Sequence, residues 1–272
     1  MVFTVWKRWR FTCLSLALCF VSLFHTACTE SIGRNSTANK GLSEVKLSIS
    51  FVKEAMRNAD DLYSDPRSLS RVKKSLELYR KVNKSKHQSV VSLWKGSRAC
   101  AYLSTHSEKD NEKSDYAKEG IEYGKRAVKA NPESGESHYY YALNLGLYAD
   151  MNRFRALGLL RDMEREALAA IRLVPDFDYA GGYRFLGRLY YEAPSFSIGN
   201  RKKGLLLLKK ACDIAPHYPP NLLNYGEILL KDGRKKLARK YLRKVLKLKR
   251  LREDNSQLPA WKKKARKLLK RI

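Results

Sequence analysis

From Ser43 onward apolar residues recur every three or four positions, the period of an amphipathic helix. Leu47, Phe51, Met56, Ala59 and Leu62 fall on one face of a first helix, which the Asp65-Pro66 pair ends. Leu69, Val72, Leu76 and Tyr79 mark out the next. Ahead of this pattern, residues 29–42, TESIGRNSTANKGL, are small, polar and without period, which predicts a flexible tether. Ahead of the tether, Lys7, Arg8 and Arg10 precede 14 uncharged residues, Phe11 to Phe24. Such a run is short for a hydrocarbon layer about 30 Å thick, and a basic start with a short apolar core reads as an export signal.

The helical part repeats. AVKANP, AIRLVP and ACDIAP each place an Ala five residues before a Pro, at Pro132, Pro175 and Pro216, with the prolines 43 and 41 residues apart. Each is followed by a helix carrying glycine beside aromatics: Gly146 with Tyr148, Gly187 with Tyr190, and Gly226 after Tyr225. On these residues the chain resembles the tetratricopeptide repeat, in which a small residue lets two helices touch, aromatics fill the gap and proline ends the second helix. The resemblance implies an all-α solenoid of antiparallel helix pairs. With the N-terminal pattern, the chain divides into an export segment over 1–28, a tether over 29–42 and a solenoid over 43–272 with a basic C-terminal capping helix. A weaker first unit runs from SLWKGSRACAY through STHSEKDNEKSD, read as a polar loop, to Pro132. The intervals Gly146 to Ala170 and Gly187 to Ala211 are each 24 residues, against 19 from Gly226 to Val245. The excess predicts two enlarged inter-helix corners on one edge, with Phe196 and Ile198 projecting from the second as a partner or oligomer contact, or else packing locally.

HTAC, ending at Cys28, resembles a bacterial lipobox, with His25 where Leu is usual. Residues 119–149 and 175–211 are further similar to the T-component proteins of TRAP transporters and related periplasmic repeat lipoproteins. That likeness implies a non-enzymatic scaffold, lipid-anchored through Cys28 on the periplasmic face of the envelope, at the outer rather than the inner membrane. Its implied partner is an extracytoplasmic protein such as a transporter's solute-binding protein, with assembly into homo-oligomers as a further implication. Secretion or an uncleaved N-terminal anchor are the alternative placements. The alternative function is a transport accessory that itself holds or passes a small acidic or apolar solute.

Charge adds a second candidate surface. The net charge is +28, and residues 231–272 hold 19 Lys/Arg against 3 Asp/Glu, more than half of the excess. PAWKKKARKLLKRI aligns Trp261, Ala265, Leu268 and Ile272 on one side, with Lys262, Lys263, Lys264, Arg266 and Lys267 around the rest. This fits a capping helix on the last repeat first, with a helix lying on anionic lipid or nucleic acid as the alternative. Nucleic acid is not expected as the partner of an exported chain.

Chemistry for catalysis does not emerge. The five histidines have no HExxH spacing, and no phosphate loop, dinucleotide fingerprint or nucleophile elbow occurs. Neither metal nor cofactor is expected. Cys100 and Cys212 read as small core residues. The candidate groove consists of Arg184, Arg188, Tyr191, Tyr140 and Glu227, on first helices aligned through Gly187 and Gly226. Arg184 and Arg188, at i and i+4, could take a carboxylate bidentately, or could pair with Asp176, Asp178 or Glu192 and hold their own hairpin. In HYYYALNLGLY, Tyr141 and Tyr148 share a face expected to be core, which leaves Tyr140 for the groove.

Overall fold

A computed structural model describes residues 49–251 and 255–272 of the chain. The export signal, Cys28, the tether over 29–42 and Leu47 lie outside the described residues. Among the described residues there are eleven α-helices and no strand. They are α1 (Ile49–Tyr63), α2 (Leu69–Lys84), α3 (Val90–His106), α4 (Asp110–Ala130), α5 (Gly135–Met151), α6 (Arg153–Leu173), α7 (Phe177–Glu192), α8 (Arg201–Ile214), α9 (Pro219–Lys231), α10 (Lys235–Lys247) and α11 (Leu258–Leu269).

Consecutive helices pack as pairs from α1–α2 to α9–α10, and α11 closes the end against α10 and α9. First helices of neighbouring pairs also meet, α3 with α5, α5 with α7 and α7 with α9. One face is therefore made of first helices, and the turns after α1, α3, α5, α7 and α9 share one edge. The all-α solenoid of helix pairs expected from the repeats is what forms. Ala265 and Leu268 of α11 are buried in the last core cluster, with Trp261, Leu269 and Ile272 packed beside them, so this helix is the cap.

Local chemistry sets the helix ends. The second helices α4, α6 and α8 stop two residues before Pro132, Pro175 and Pro216, which can neither donate to a helix nor leave the preceding residue helical. Side chains of Ser68, Ser89, Ser134 and Asn200 accept from the backbone N–H three residues on and so begin α2, α3, α5 and α8. Cys100 and Cys212 are buried, unbridged core residues, and burial pushes the Cys212 thiol up to about 12.

Glycine sets how closely α7 and α8 approach. A Cβ on Gly187 would lie 2.9 Å from the backbone N of Leu208, and one on Gly204 would lie 2.7 Å from the Gly187 carbonyl. The two backbones touch, and no side chain fits between them.

The structure departs from the sequence reading in three places. The loop expected over residues 104–115 shrinks to Ser107–Lys109, because the acidic residues Asp110 and Glu112 favour the start of α4, where the helix dipole is positive. Of the two enlarged corners only one exists. Between α5 and α6 the single residue Asn152 turns the chain, and the extra residues lengthen α6 to 21. Between α7 and α8 an eight-residue corner forms over 193–200, folded by Ser197 and Gly199 N–H donating to the Pro194 carbonyl. A Cβ at Gly199 would sit 2.2 Å from the Ala193 carbonyl, so the corner can close only over glycine. Phe196 is 77% exposed at its tip, whereas Ile198 turns inward against the cluster of α5, α6 and α7. Finally, within HYYYALNLGLY the deeply buried tyrosines are Tyr139 and Tyr140, with Tyr141 and Tyr148 half-buried. α5 has neighbours on nearly every side, so no single stripe on it is the core face.

The two ends of the solenoid touch. Ser256, in the turn of 3-10 helix before α11, contacts the Asp65 carboxylate in the turn after α1 through its hydroxyl and its backbone N–H.

Gly204→Ala should destabilise the protein by about 1–3 kcal/mol, since α7 and α8 must part. Gly158→Ala, in the middle of α6 with nothing within 4 Å of its added Cβ, should stabilise it by about 0.5–1 kcal/mol. Urea denaturation of the two variants checks the opposite signs.

Candidate functional site

The first-helix face carries a row of aromatic rings and cations. Trp94 of α3 stacks parallel to Tyr140 of α5 at 5.9 Å, and both meet Phe177 of α7 edge-on at 6.1 and 5.9 Å. Further along, Tyr179 stacks on Tyr218 at 4.1 Å, and Tyr218 meets Trp261 of α11 edge-on at 6.0 Å. Guanidinium groups lie among the rings: Arg98 is 3.8 Å from the Tyr63 centroid and Arg184 5.4 Å from that of Tyr218. Such contacts contribute about 0.5–2 kcal/mol each and fix ring orientation.

The cations are also held by carboxylates. Arg98 donates to Asp60 Oδ1 at 3.3 Å, and Lys95 to Asp60 Oδ2 at 2.5 Å. Arg184 donates to Asp178 Oδ2, to the Asp178 carbonyl at 3.2 Å and to Asn221 Oδ1 at 2.8 Å. These bonds clamp an unusual backbone. Asp178, Tyr179 and Ala180 lie consecutively in the left-handed region, with φ of 49°, 55° and 63°, a conformation that costs about 1–2 kcal/mol per non-glycine residue. Asn221 of α9 donates to the Tyr179 carbonyl at 2.9 Å and to Ala211, near the end of α8, at 2.8 Å. The turn aims Phe177 and Tyr179 at the aromatic row, and right-handed helix resumes at Gly181.

A second, buried ionic cluster ties α7, α9 and α11 together. Arg188 donates to Glu192 at 3.5 Å, Glu227 at 3.2 Å and Asn224 at 3.0 Å. Lys231 pairs with Glu192, and Lys264 with Glu227 at 3.3 Å. Burial alone would push the Glu227 carboxyl up, but Arg188 and Lys264 outweigh it and hold the group at about 2.

These contacts place each residue of the candidate groove. Arg184 and Arg188 bind internal carboxylates, Asp178 for the first and Glu192 with Glu227 for the second, so their forks hold the repeat units together. Glu227 is buried within that cluster. Tyr191, near the end of α7, is buried in the cluster built by α8, α9 and α10, with Arg201 5.7 Å from its ring centroid, and does not line the row. Tyr140 forms the floor under Trp94, only 8% exposed. Of the basic C-terminal residues, Lys264 joins the Glu227 cluster, Lys262 is half-buried, and Lys263, Arg266 and Lys267 are exposed. The accessible ring faces and polar groups of the row are instead Trp94, Tyr179, Tyr218, Asn224 and Trp261, each half-buried. Periodicity placed Trp261 on the packing side of α11 but could not bring Trp94 next to Phe177, 83 positions away. Among the described residues no three of His, Cys, Asp and Glu are grouped to hold a metal ion.

Arg188→Ala should cost about 3–5 kcal/mol in urea denaturation, because it leaves Glu192 and Glu227 buried beside fewer cations. Arg188→Met, which fills the volume, should cost less than Arg188→Ala. Glu227, ionised at lower pH in the folded than in the unfolded chain, contributes stability in full above about pH 4.5. That contribution falls away as pH drops through 2. Glu227→Gln should flatten this acid limb of the stability curve, as measured by thermal melting from pH 6 to pH 2.

The fold has known counterparts. The crystal structure of TTC0263, a thermophilic tetratricopeptide-repeat protein of Thermus thermophilus, superposes with a TM-score of 0.60 at 20% identity, covering 79% of this chain and 98% of that one. At that identity the likeness shows the fold, a tetratricopeptide-type solenoid. The MamA protein superposes with a TM-score of 0.47 at 19% identity, over 71% of this chain and 88% of its own. Yeast Tom70 reaches 0.22 at 11%, over 86% and 67%. No curated protein matches the sequence. The family model described as regulator of microtubule dynamics protein 1-3 matches residues 55–208. Since that span takes in more than half of the chain, from α1 to α8, the protein belongs to this family.

Proposed function

We propose that the protein is a non-enzymatic scaffold that docks a protein partner along its first-helix face. The observation that carries this reading is the row from Trp94 to Trp261: half-buried rings and amides on a floor that ion pairs and stacking hold rigid. A surface already ordered loses little conformational freedom when a partner binds, and aromatic anchors with polar neighbours are what a protein segment uses. The basic and apolar pattern of the N-terminal 28 residues supports a location at a membrane, on the extracytoplasmic side, with Cys28 as the acylated residue. Among the described residues no helix is long and apolar enough to cross a membrane. The first partner to test is a solute-binding protein of a TRAP-type transporter.

A second reading rests on the family description and on charge. α10 exposes Lys236, Arg239, Lys240, Arg243, Lys244 and Lys247, and residues 234–251 contain no acidic side chain. Such a face has the sign to meet an acidic filament, microtubules among them.

A photo-crosslinking amino acid at Tyr218 or Trp261 should capture one envelope protein, and the same group at Lys210, on the exposed side of α8, should not. Equal capture from both positions would end the docking proposal. Palmitate incorporation that disappears in Cys28→Ala tests the anchor separately, and co-sedimentation with polymerised tubulin tests the second reading.

A further inference from the structure

The edge that carries the turns after α5, α7 and α9 has a surface the scaffold does not use. Phe154, in the first turn of α6, is fully exposed, and Phe196 is 77% exposed at the tip of the 193–200 corner. The two turns are neighbours, since Ile198 packs against the cluster that contains Ala149 and Ala156. Leu157 and Leu206 extend the apolar surface onto α6 and α8. Large exposed rings at successive turn tips have no packing role in the fold.

Charge separates this part of the edge from the rest. Around these three turns the exposed charged side chains are basic: Arg155 at the first, Arg201 and Lys202 at the second, Arg234, Lys235 and Lys236 at the third. The acidic residues there are withdrawn. Asp150 is buried, Glu192 lies in the Arg188 cluster, and Asp232 pairs with Arg234 at 2.6 Å. The two N-terminal turns of the same edge differ, exposing Asp61 and Asp65 at one and Glu108 and Asp110 at the other. Within one edge, the basic stretch and the exposed phenylalanines coincide.

We propose that the edge from Phe154 to Lys236 lies on an anionic lipid surface, with Phe154 and Phe196 entering between headgroups and the Lys/Arg collar facing the phosphates. Aromatic and aliphatic tips ringed by basic residues are the pattern of interfacial membrane contact. A protein partner matched to the same charge would need acidic groups around an apolar socket, whereas an anionic bilayer supplies both without specific fit. The acidic turns after α1 and α3 then tilt away from the surface, so the solenoid stands on its C-terminal half. This contact is distinct from the partner-docking face and does not depend on it.

Hydrogen exchange of the full-length protein with phosphatidylglycerol vesicles and with neutral phosphatidylcholine vesicles tests the proposal locally. The N-terminal segment is the same in the parent and in the double variant below, so comparing those two on one vesicle type cancels its contribution. Amides in residues 150–160 and 194–203 should exchange about tenfold more slowly on the anionic vesicles only, while those around Ser107–Lys109 stay unchanged. The double variant Phe154→Ser/Phe196→Ser removes only exposed rings and should melt like the parent, yet lose this slowing. Replacing Lys202 or Lys235 by Ser should weaken it by about fivefold per charge. Raising ionic strength to about 0.5 M should weaken it as well. Equal slowing on neutral vesicles, slowing that grows with protein concentration in the absence of lipid, or slowing that persists in the double variant would each overturn the proposal. The second of these outcomes would make the edge a contact between copies of the chain.

Discussion

The register of a repeat unit depends on how closely its two helices approach, and between α7 and α8 backbone meets backbone. At Gly187 and Gly204 the separation leaves no room for a Cβ on either side, and at Gly226 an added Cβ would meet Leu242 of α10 at 2.8 Å. Close contact fixes the register of the pair, and register decides which side chains reach the first-helix face. Arg184 and Arg188 follow Gly182 and Gly187 on α7, so the glycines that seat α7 against α6 and α8 also aim the arginines at Asn221 and Glu227 of α9. Packing within a unit thereby determines the ionic contacts between units.

The ion pairs along the first-helix face are best understood as joints. A pair at the surface contributes little, whereas a buried group that loses its partner is costly. Arg188 with Glu192 and Glu227 lies at the buried extreme, and Arg98 with Asp60 is more open. Stiffness is therefore concentrated between α7, α9 and α11, beneath the half of the aromatic row that contains Tyr218 and Trp261.

Much of this architecture was legible in the sequence, because proline and glycine act locally. Pro132, Pro175 and Pro216 end helices wherever they stand, and Gly187 and Gly226 mark close contact in a helical stretch. The corners were harder to read. Two units share the same excess of residues, but the stretch from Tyr148 to Ala156 holds neither proline nor glycine and became helix, while Pro194 and Gly199 made a true corner. The left-handed turn at Asp178 left no trace in periodicity, since Tyr179 and Ala180 are ordinary helix residues, held there by clamps from Arg184, Asn221 and Tyr139. For Arg184 and Arg188 two of the carboxylates, Asp178 and Glu192, are close enough in sequence to be read as candidates, but Glu227 is 39 positions from Arg188 and only packing brings it there.

The contact between Ser256 and Asp65 has a consequence for the evolution of the chain. Repeat proteins usually gain and lose units freely, because each unit touches only its neighbours. A solenoid whose last segment reaches back to its first turn is closed to that process. Adding or deleting one unit would carry the C-terminal segment past Asp65, so selection on that contact would act on the number of units and hold it at the five pairs and cap found among the described residues.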